Sequence, residues 1–177
     1  LTGAKGSFKQ TAGGMRLLRE LGQTVITNSV ITRANYRFLP ELARVLVKLG
    51  VDQFQMAFVH PLGTAMERFY EIVPRMALIE PYVKEALAIG LRSRRSVMTE
   101  AIPYCFMGGY HDYIGERVVP RTKIFDANSV LEDYTEYRLN EGKAKRDLCR
   151  ECVYYEVCEG PWREYPQHYG WDEFVPI

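Results

Sequence analysis

Apolar residues recur along the chain at two different periods, and the way these alternate sets out its organisation. Phe8, Ala12, Met15, Leu18 and Leu21 fall on one helix face, and Gly22 supplies a stop. The run from Thr24 to Thr32 is uncharged and dense in β-branched residues, the pattern of a strand covered on both faces. Leu39, Leu42, Val45, Leu46 and Leu49 form a second helical stripe that ends at Gly50; Asn35 can cap it, and Pro40 is tolerable only near its start. Val51 to Val59 predicts a second strand, closed by the turn residues Pro61 and Gly63. Pro74 opens a third helical pattern through Met76, Ile79, Val83 and Leu87 to about Arg92, with a kink expected at Pro81. Val97 to Tyr104 is the third strand candidate and leads directly into Cys105.

Helix and strand alternating at this spacing predict right-handed β/α units around a parallel sheet. The sheet is expected to be incomplete, because the first helix has no strand before it and only three strands follow. Either a partner covers the bare strand edge or the first half of a barrel is missing. After Gly115 the composition shifts. Residues 115–147 hold 14 charges in 33, against 25% for the chain, which reads as a solvated connector with a short helix around Val130 to Leu139. The tail from Glu159 to Ile177 carries Trp162, Tyr165, Tyr169, Trp171 and Phe174 among prolines, and is expected to dock on a surface.

At 177 residues the chain suits one domain or a domain with an appendage, with core enough to dispense with disulfides. Its 23 Lys and Arg against 22 Asp and Glu, with 47% hydrophobic residues, exclude both a disordered acidic chain and a basic nucleic-acid-binding domain. The longest charge-free stretch, Gln53 to Met66, is too short and too polar to span a bilayer. No secretory signal pattern opens the chain, so a cytoplasmic setting is expected, and Leu1 in place of Met suggests a fragment.

Three of the four cysteines crowd together. Cys149-x2-Cys152 has the spacing of a metal knuckle, Cys158 follows, and Cys105 is the one cysteine left for a fourth place. Clustering of this kind in a reduced compartment favours metal over disulfide, although four buried thiols or a Cys149–Cys158 disulfide are the bland alternatives. Spacing alone favours zinc over iron–sulfur, since structural zinc sites are common.

Other polar residues lie where parallel strands are expected to end, the usual place for ligands. Asn28 is the amide inside the first strand, His60 closes the second, and Glu100 and Tyr104 lie on the third. His60 before Pro61 also reads as a turn residue, and Asn28 as a partner for backbone groups. His111 and His168 read as surface residues, and Lys143, Lys145 and Arg146 as a solvated basic face. Neither a Walker loop, a dinucleotide fingerprint, a Ser–His–Asp set nor a metalloprotease helix can be assembled, and the catalytic residues stay unknown.

Two segments together resemble a known family. Val25 to Asn35 with Leu39-Pro-Glu-Leu42, Leu49-Gly-Val51 and Phe58-Val-His-Pro-Leu-Gly63 resemble the second half of the barrel of radical S-adenosylmethionine enzymes, nearest to the group of the molybdenum-cofactor biosynthesis enzyme A and the peptide-modifying maturases. The opening Leu1 to Phe8 is similar to a segment following the third or fourth barrel strand. Cys149-x2-Cys152-x5-Cys158 is similar to the auxiliary-cluster region of the SPASM and twitch subfamilies, and Gly160 to Tyr165 to their tails. The resemblance implies an α/β fold: the C-terminal half of a partial (β/α)6 TIM-like barrel over residues 1–96, with a Cys-rich extension over residues 97–177. It implies that Asn28 faces S-adenosylmethionine, that Val59 and His60 pack on its adenine, and that Cys105, Cys149, Cys152 and Cys158 hold an auxiliary [4Fe-4S] cluster. Iron–sulfur then overtakes zinc, which remains a possible substitute in the same thiolates. The implied partners are a peptide or small-molecule substrate and an electron donor such as flavodoxin or ferredoxin, with no nucleic acid and no membrane.

The departures are specific. The family's Cys-x3-Cys-x2-Cys is absent from these 177 residues, so this chain alone is not expected to make a 5′-deoxyadenosyl radical. Trp162 stands where a SPASM pattern carries a cysteine, which points to a single auxiliary cluster. Two readings compete with this one: a zinc-stabilised four-cysteine interaction module without catalysis, and, ranked last, an α/β enzyme with Cys105 as nucleophile and His60 or His111 as base.

Overall fold

Three strands, β1 (Ile26–Ile31), β2 (Gln53–Phe58) and β3 (Ser96–Glu100), lie parallel in the order β1-β2-β3 in the computed structural model, which describes residues 3–127 and 129–177. Helix α1 (Ser7–Glu20) precedes β1, α2 (Leu39–Lys48) joins β1 to β2, and the short α3 (Thr64–Glu67) and α4 (Phe69–Ile72) lead into α5 (Met76–Arg92) before β3. Successive strands step across the sheet in one direction. Right-handed crossovers then carry α2 and α5 to the same face.

That face is the core. Phe54, Met56 and Phe58 of β2 and Val97 of β3 are buried against Ala43 and Leu46 of α2 and Val83, Ala86 and Leu87 of α5. The closest approach is at Gly90, where an added Cβ would lie 2.4 Å from Val97 Cγ1 and 2.6 Å from Phe54 Cζ. Only a residue without a side chain lets α5 come so near the sheet. Leu42 and Leu46 of α2 and Ala12 and Met15 of α1 wall a cleft floored by Thr27 and Ser29.

Helices α1, α2 and α5 leave the opposite face open along β1, although Ala57, toward the strand ends, is buried on it. Ile26, Asn28 and Val30 are exposed there, and Gln53, Gln55 and Met98 are half-buried. A strand covered on both faces is the expectation for residues 24–32, and the structure corrects it: β-branched residues serve the helix-facing side at Ile31, while Ile26 is 63% exposed. The third strand is also shorter than expected. Ala101 takes a left-handed φ of 60°, turning the chain after Glu100, so Tyr104 sits in a one-turn 3-10 helix (Tyr104–Phe106) instead of on a strand. Asn35 caps nothing. Its Oδ1 accepts the Thr32 N–H at 2.8 Å and its Nδ2 donates to Val30 O at 2.8 Å, tying down the strand's exit. Helix α5 runs unbroken through Pro81.

Residues 115–147 are more than a solvated connector. Ile114 bridges to Thr99 in parallel, Ile124–Phe125 (β4) pairs antiparallel with Val130–Leu131 (β5), and a short helix α6 (Tyr134–Tyr137) runs into a π turn over Arg138–Gly142. Asp133 caps α6, accepting the Thr135 and Glu136 N–H groups at 2.9 and 3.0 Å. The aromatic tail docks as one more layer, around α7 (Glu164–Tyr169): Trp162, Tyr165 and Phe174 join the same hydrophobic core as the sheet. Helix α5 has no cap of its own at Arg75. The tail supplies it, with the Met76 N–H donating to Tyr165 Oη at 2.8 Å and the Ala77 N–H to Glu173 Oε2 at 2.9 Å. No helix of the described residues is long and apolar enough to cross a membrane.

Gly90→Ala tests the close approach. Alanine is the better helix former by about 1 kcal/mol, yet its methyl group overpacks Phe54 and Val97, and overpacking of this kind costs about 1–3 kcal/mol. Urea unfolding is expected to show a lower midpoint at unchanged slope; a raised midpoint would mean that α5 does not sit this close to the sheet.

Candidate functional site

Three separate turns deliver the four cysteines to one cavity. Pro103, extended at φ −62°, sets up the turn that carries Cys105. Cys149 lies in the 3-10 helix Asp147–Glu151, and the Cys152 N–H closes onto Cys149 O at 3.0 Å. Cys158 ends the next turn, its N–H donating to Tyr154 O at 2.8 Å. Gly160 then passes so close to the Ala144 backbone that a Cβ would lie 2.0 Å from Ala144 O, at a φ of +83° that favours glycine. That crossing brings Cys158 beside Cys105.

The cavity is small, about 30 Å³, and partly open, and all four cysteines line it. Its remaining walls are apolar apart from Lys145, with Pro103, Tyr155, Phe174 and Val175 among them. The C-terminal residues close one side: the Val153 N–H donates to Ile177 O at 2.8 Å and Arg146 Nη2 to Phe174 O at 2.6 Å. All four thiols are free. Burial, and after it the neighbouring Cys158, pushes the Cys105 thiol up to about 12. Burial raises Cys158 too, against the pull of the Tyr104 and Gly160 N–H groups directed at its sulfur. Four soft sulfur donors in a mostly apolar chamber, one already receiving two backbone N–H groups, suit a thiolate-ligated metal centre, which would replace the thiol protons. Among the described residues no group of three or more His, Cys, Asp or Glu is gathered tightly enough to hold a single metal ion.

Beside the cavity lies a second set of polar side chains that the sequence pattern misreads. Arg138, 2% exposed at its side chain, pairs with Glu159 through Nε at 3.0 Å and Nη2 at 2.9 Å. Lys143, expected on a solvated face, is buried: its Nζ lies 3.3 Å from Glu116 Oε1 and 4.3 Å from the centre of the Trp162 ring. Partners 21 and 27 residues apart leave no local signature, so only the high charge density of the segment hints at them. Lys145 and Arg146 do lie at or near the surface.

The histidines are less exposed than expected. His111 accepts or donates through Nδ1 to Tyr154 Oη at 3.0 Å, and Tyr154 stacks on Tyr104 at 4.6 Å beside the cavity. His168 stacks on Phe69 at 4.0 Å. His60 lies flat against Trp162 at 3.6 Å, with Glu164 Oε2 3.8 Å from its Nε2. Val59 is buried beside it. Asn28 is exposed in mid-strand, opposite Gln55, on the uncovered face of the sheet and apart from the cysteine cavity. No family model, curated protein or solved structure matches the chain.

Burial, reinforced by Lys143, lowers the His60 pKa from 6.5 to about 4. Glu164 would favour protonation, but at 3.8 Å it makes no hydrogen bond to the ring, and burial prevails. Between about pH 6.5 and 4 the unfolded chain therefore binds a proton at this site that the folded chain resists, so stability falls on acidification. His60→Gln is expected to lose less stability than the parent protein between about pH 7 and pH 5 in urea titrations; equal losses would mean that His60 titrates normally.

Proposed function

We propose that the chain is the C-terminal portion of a radical S-adenosylmethionine enzyme, in which Cys105, Cys149, Cys152 and Cys158 hold an auxiliary [4Fe-4S] cluster. The observation that carries this reading is the convergence of all four cysteines, from three turns, on one mostly apolar cavity. A cluster held there supplies a one-electron redox centre with no open iron position. The chain's own residues would do the rest: Phe174 and Val175 exclude water, the Tyr104 and Gly160 N–H groups stabilise the Cys158 thiolate, and Lys145, bonded to Tyr155 O at 2.9 Å, adds positive charge at the wall.

The sheet supports the same reading. Parallel strands that step in one direction with the crossover helices α2 and α5 on one side have the arrangement of a barrel wall, whereas a doubly wound sheet reverses direction and covers both faces. The uncovered face and the free edge of β1 are where the other half of the barrel would close. In the whole enzyme Asn28, Val59 and His60 would border S-adenosylmethionine, a peptide or small molecule would give up the hydrogen atom, and a flavodoxin or ferredoxin in the cytoplasm would supply electrons. The 177 residues lack the Cys-x3-Cys-x2-Cys motif and by themselves would not cleave S-adenosylmethionine.

Protein purified without air is expected to hold iron and sulfide in equal amounts and to absorb broadly near ~400 nm, as thiolate-ligated clusters do. Colourless protein with one zinc would instead favour the non-catalytic four-cysteine module. Cys152→Ser is expected to lose the metal and to speed hydrogen exchange over residues 149–177 far more than in β1 to β3, because metal binding there is folding free energy. Equal loss of protection in both regions would overturn the assignment of the cysteines to a local metal centre.

A further inference from the structure

The walls of the cysteine cavity are held unequally. Gly160 and Pro161 are pinned at the crossing with Ala144, whose N–H donates to Pro161 O at 3.0 Å, and Tyr104, in the turn that leaves β3, is buried. The tail is firm as far as Phe174. That ring is buried and meets Trp171, Phe106 and Tyr165 edge-on at 5.3, 5.4 and 5.7 Å, while its carbonyl accepts Arg146 Nη2. Beyond Phe174 the hold weakens abruptly.

Residues 175–177 supply the last wall. Val175 and Pro176 line the cavity, yet Val175 is 63% and Ile177 44% exposed, and Pro176 has no N–H to donate. Among the described residues their one hydrogen bond runs from the Val153 N–H to Ile177 O at 2.8 Å. A segment with so little buried area and a single backbone bond opens at small free-energy cost. The place of that bond matters, because Val153 follows Cys152 directly and a closed tail fixes the backbone beside a thiol. The enclosed space of about 30 Å³ has room for about two waters. A metal site so tightly closed needs an entry path, and this wall is the one that can yield.

We propose that residues 175–177 are a flap, hinged at Phe174, that lifts to give access to the four thiols and closes on Val153 to shield them. For what passes the flap, the inference rests on the metal centre proposed above; the gating of the thiols stands on the geometry of the cavity alone. Closure and a bound metal both order the stretch around Cys152, so each favours the other. The flap slows loss of the metal, and the metal keeps the flap shut.

The test follows the reaction of the full chain with dithiobis(nitrobenzoate), a bulky aromatic disulfide that exchanges with an accessible thiolate and releases one thionitrobenzoate for each thiol it modifies. Removing residues 175–177 is expected to speed the reaction by about tenfold or more at an unchanged urea midpoint. Val153→Pro deletes the N–H donor after a Cys152 that is already extended at ψ 133°, and is expected to act likewise. Val153→Ala keeps the donor at a 79% exposed position and is expected to leave the rate as it was. Val153→Pro decides the matter if the shortened chain does not fold. Parent rates in the shortened chain or in Val153→Pro, equal acceleration in Val153→Ala, or an acceleration accompanied by a lower urea midpoint would each overturn the flap. Metal analysis on the same samples separates the two ideas: metal-free protein whose thiols are gated keeps the flap and rejects the metal centre, and metal-loaded protein whose thiols react alike in every variant does the reverse.

Discussion

Two ion pairs withdrawn from water, Arg138–Glu159 and Lys143–Glu116, hold the carboxyl end of the sheet to the turns that carry the cysteines. Glu116 grips the chain just after β3 through the Ala101 N–H, and Glu159 lies between Cys158 and the Gly160 crossing. Burying four charges stabilises little in itself, because desolvation offsets most of the attraction, but losing one partner costs about 3–5 kcal/mol. Such pairs therefore act as a register: the turns fit the sheet in one arrangement or leave a charge stranded. Trp162, with His60 flat on one side and Lys143 over its ring, sits within the same joint.

The cysteine cavity depends on that joint and on the tail. A segment of short turns, with Val153 and Val157 exposed, has little core of its own. It is fixed from outside, by the Val153–Ile177 and Arg146–Phe174 hydrogen bonds and by the Ala144–Gly160 approach. The tail in turn caps α5 through Tyr165 and Glu173. Sheet, tail and cysteine turns thus share one hydrophobic core that runs from Ala12 to Phe174. Under the proposed function, that continuity would couple a metal centre at the thiols to the strand ends.

The asymmetry of the sheet has a similar consequence for chemistry. With α1, α2 and α5 on one side, the opposite face is free to carry polar residues, and Asn28 and Gln55 stand opposite each other there, with Glu100 bonded to Gln55 at the end of β3. A fully enclosed parallel sheet would have filled those positions with aliphatic side chains.

Residue order alone is enough for whatever depends on neighbours within a few positions. Helical stripes specify α1, α2 and α5, β-branched and apolar runs specify the three strands, and the x2 and x5 spacings mark Cys149, Cys152 and Cys158 as a local group. Parallel pairing follows from the alternation of elements, since right-handed crossovers leave little choice. Pairings across distance are another matter. Periodicity records that a side chain is apolar, not whether a layer covers it, so the uncovered face of β1 reads as buried. A high density of charges looks alike whether each is solvated or paired with a residue 20 or more positions away, so Arg138 and Lys143 read as surface. The turn at Ala101, which ends β3 at Glu100 and sends Tyr104 and Cys105 toward the cavity, has no signature in the residue type, and its N–H is held by Glu116, 15 positions on. Those features are decided by tertiary packing, because desolvation and ion pairing act between residues that only the fold brings together.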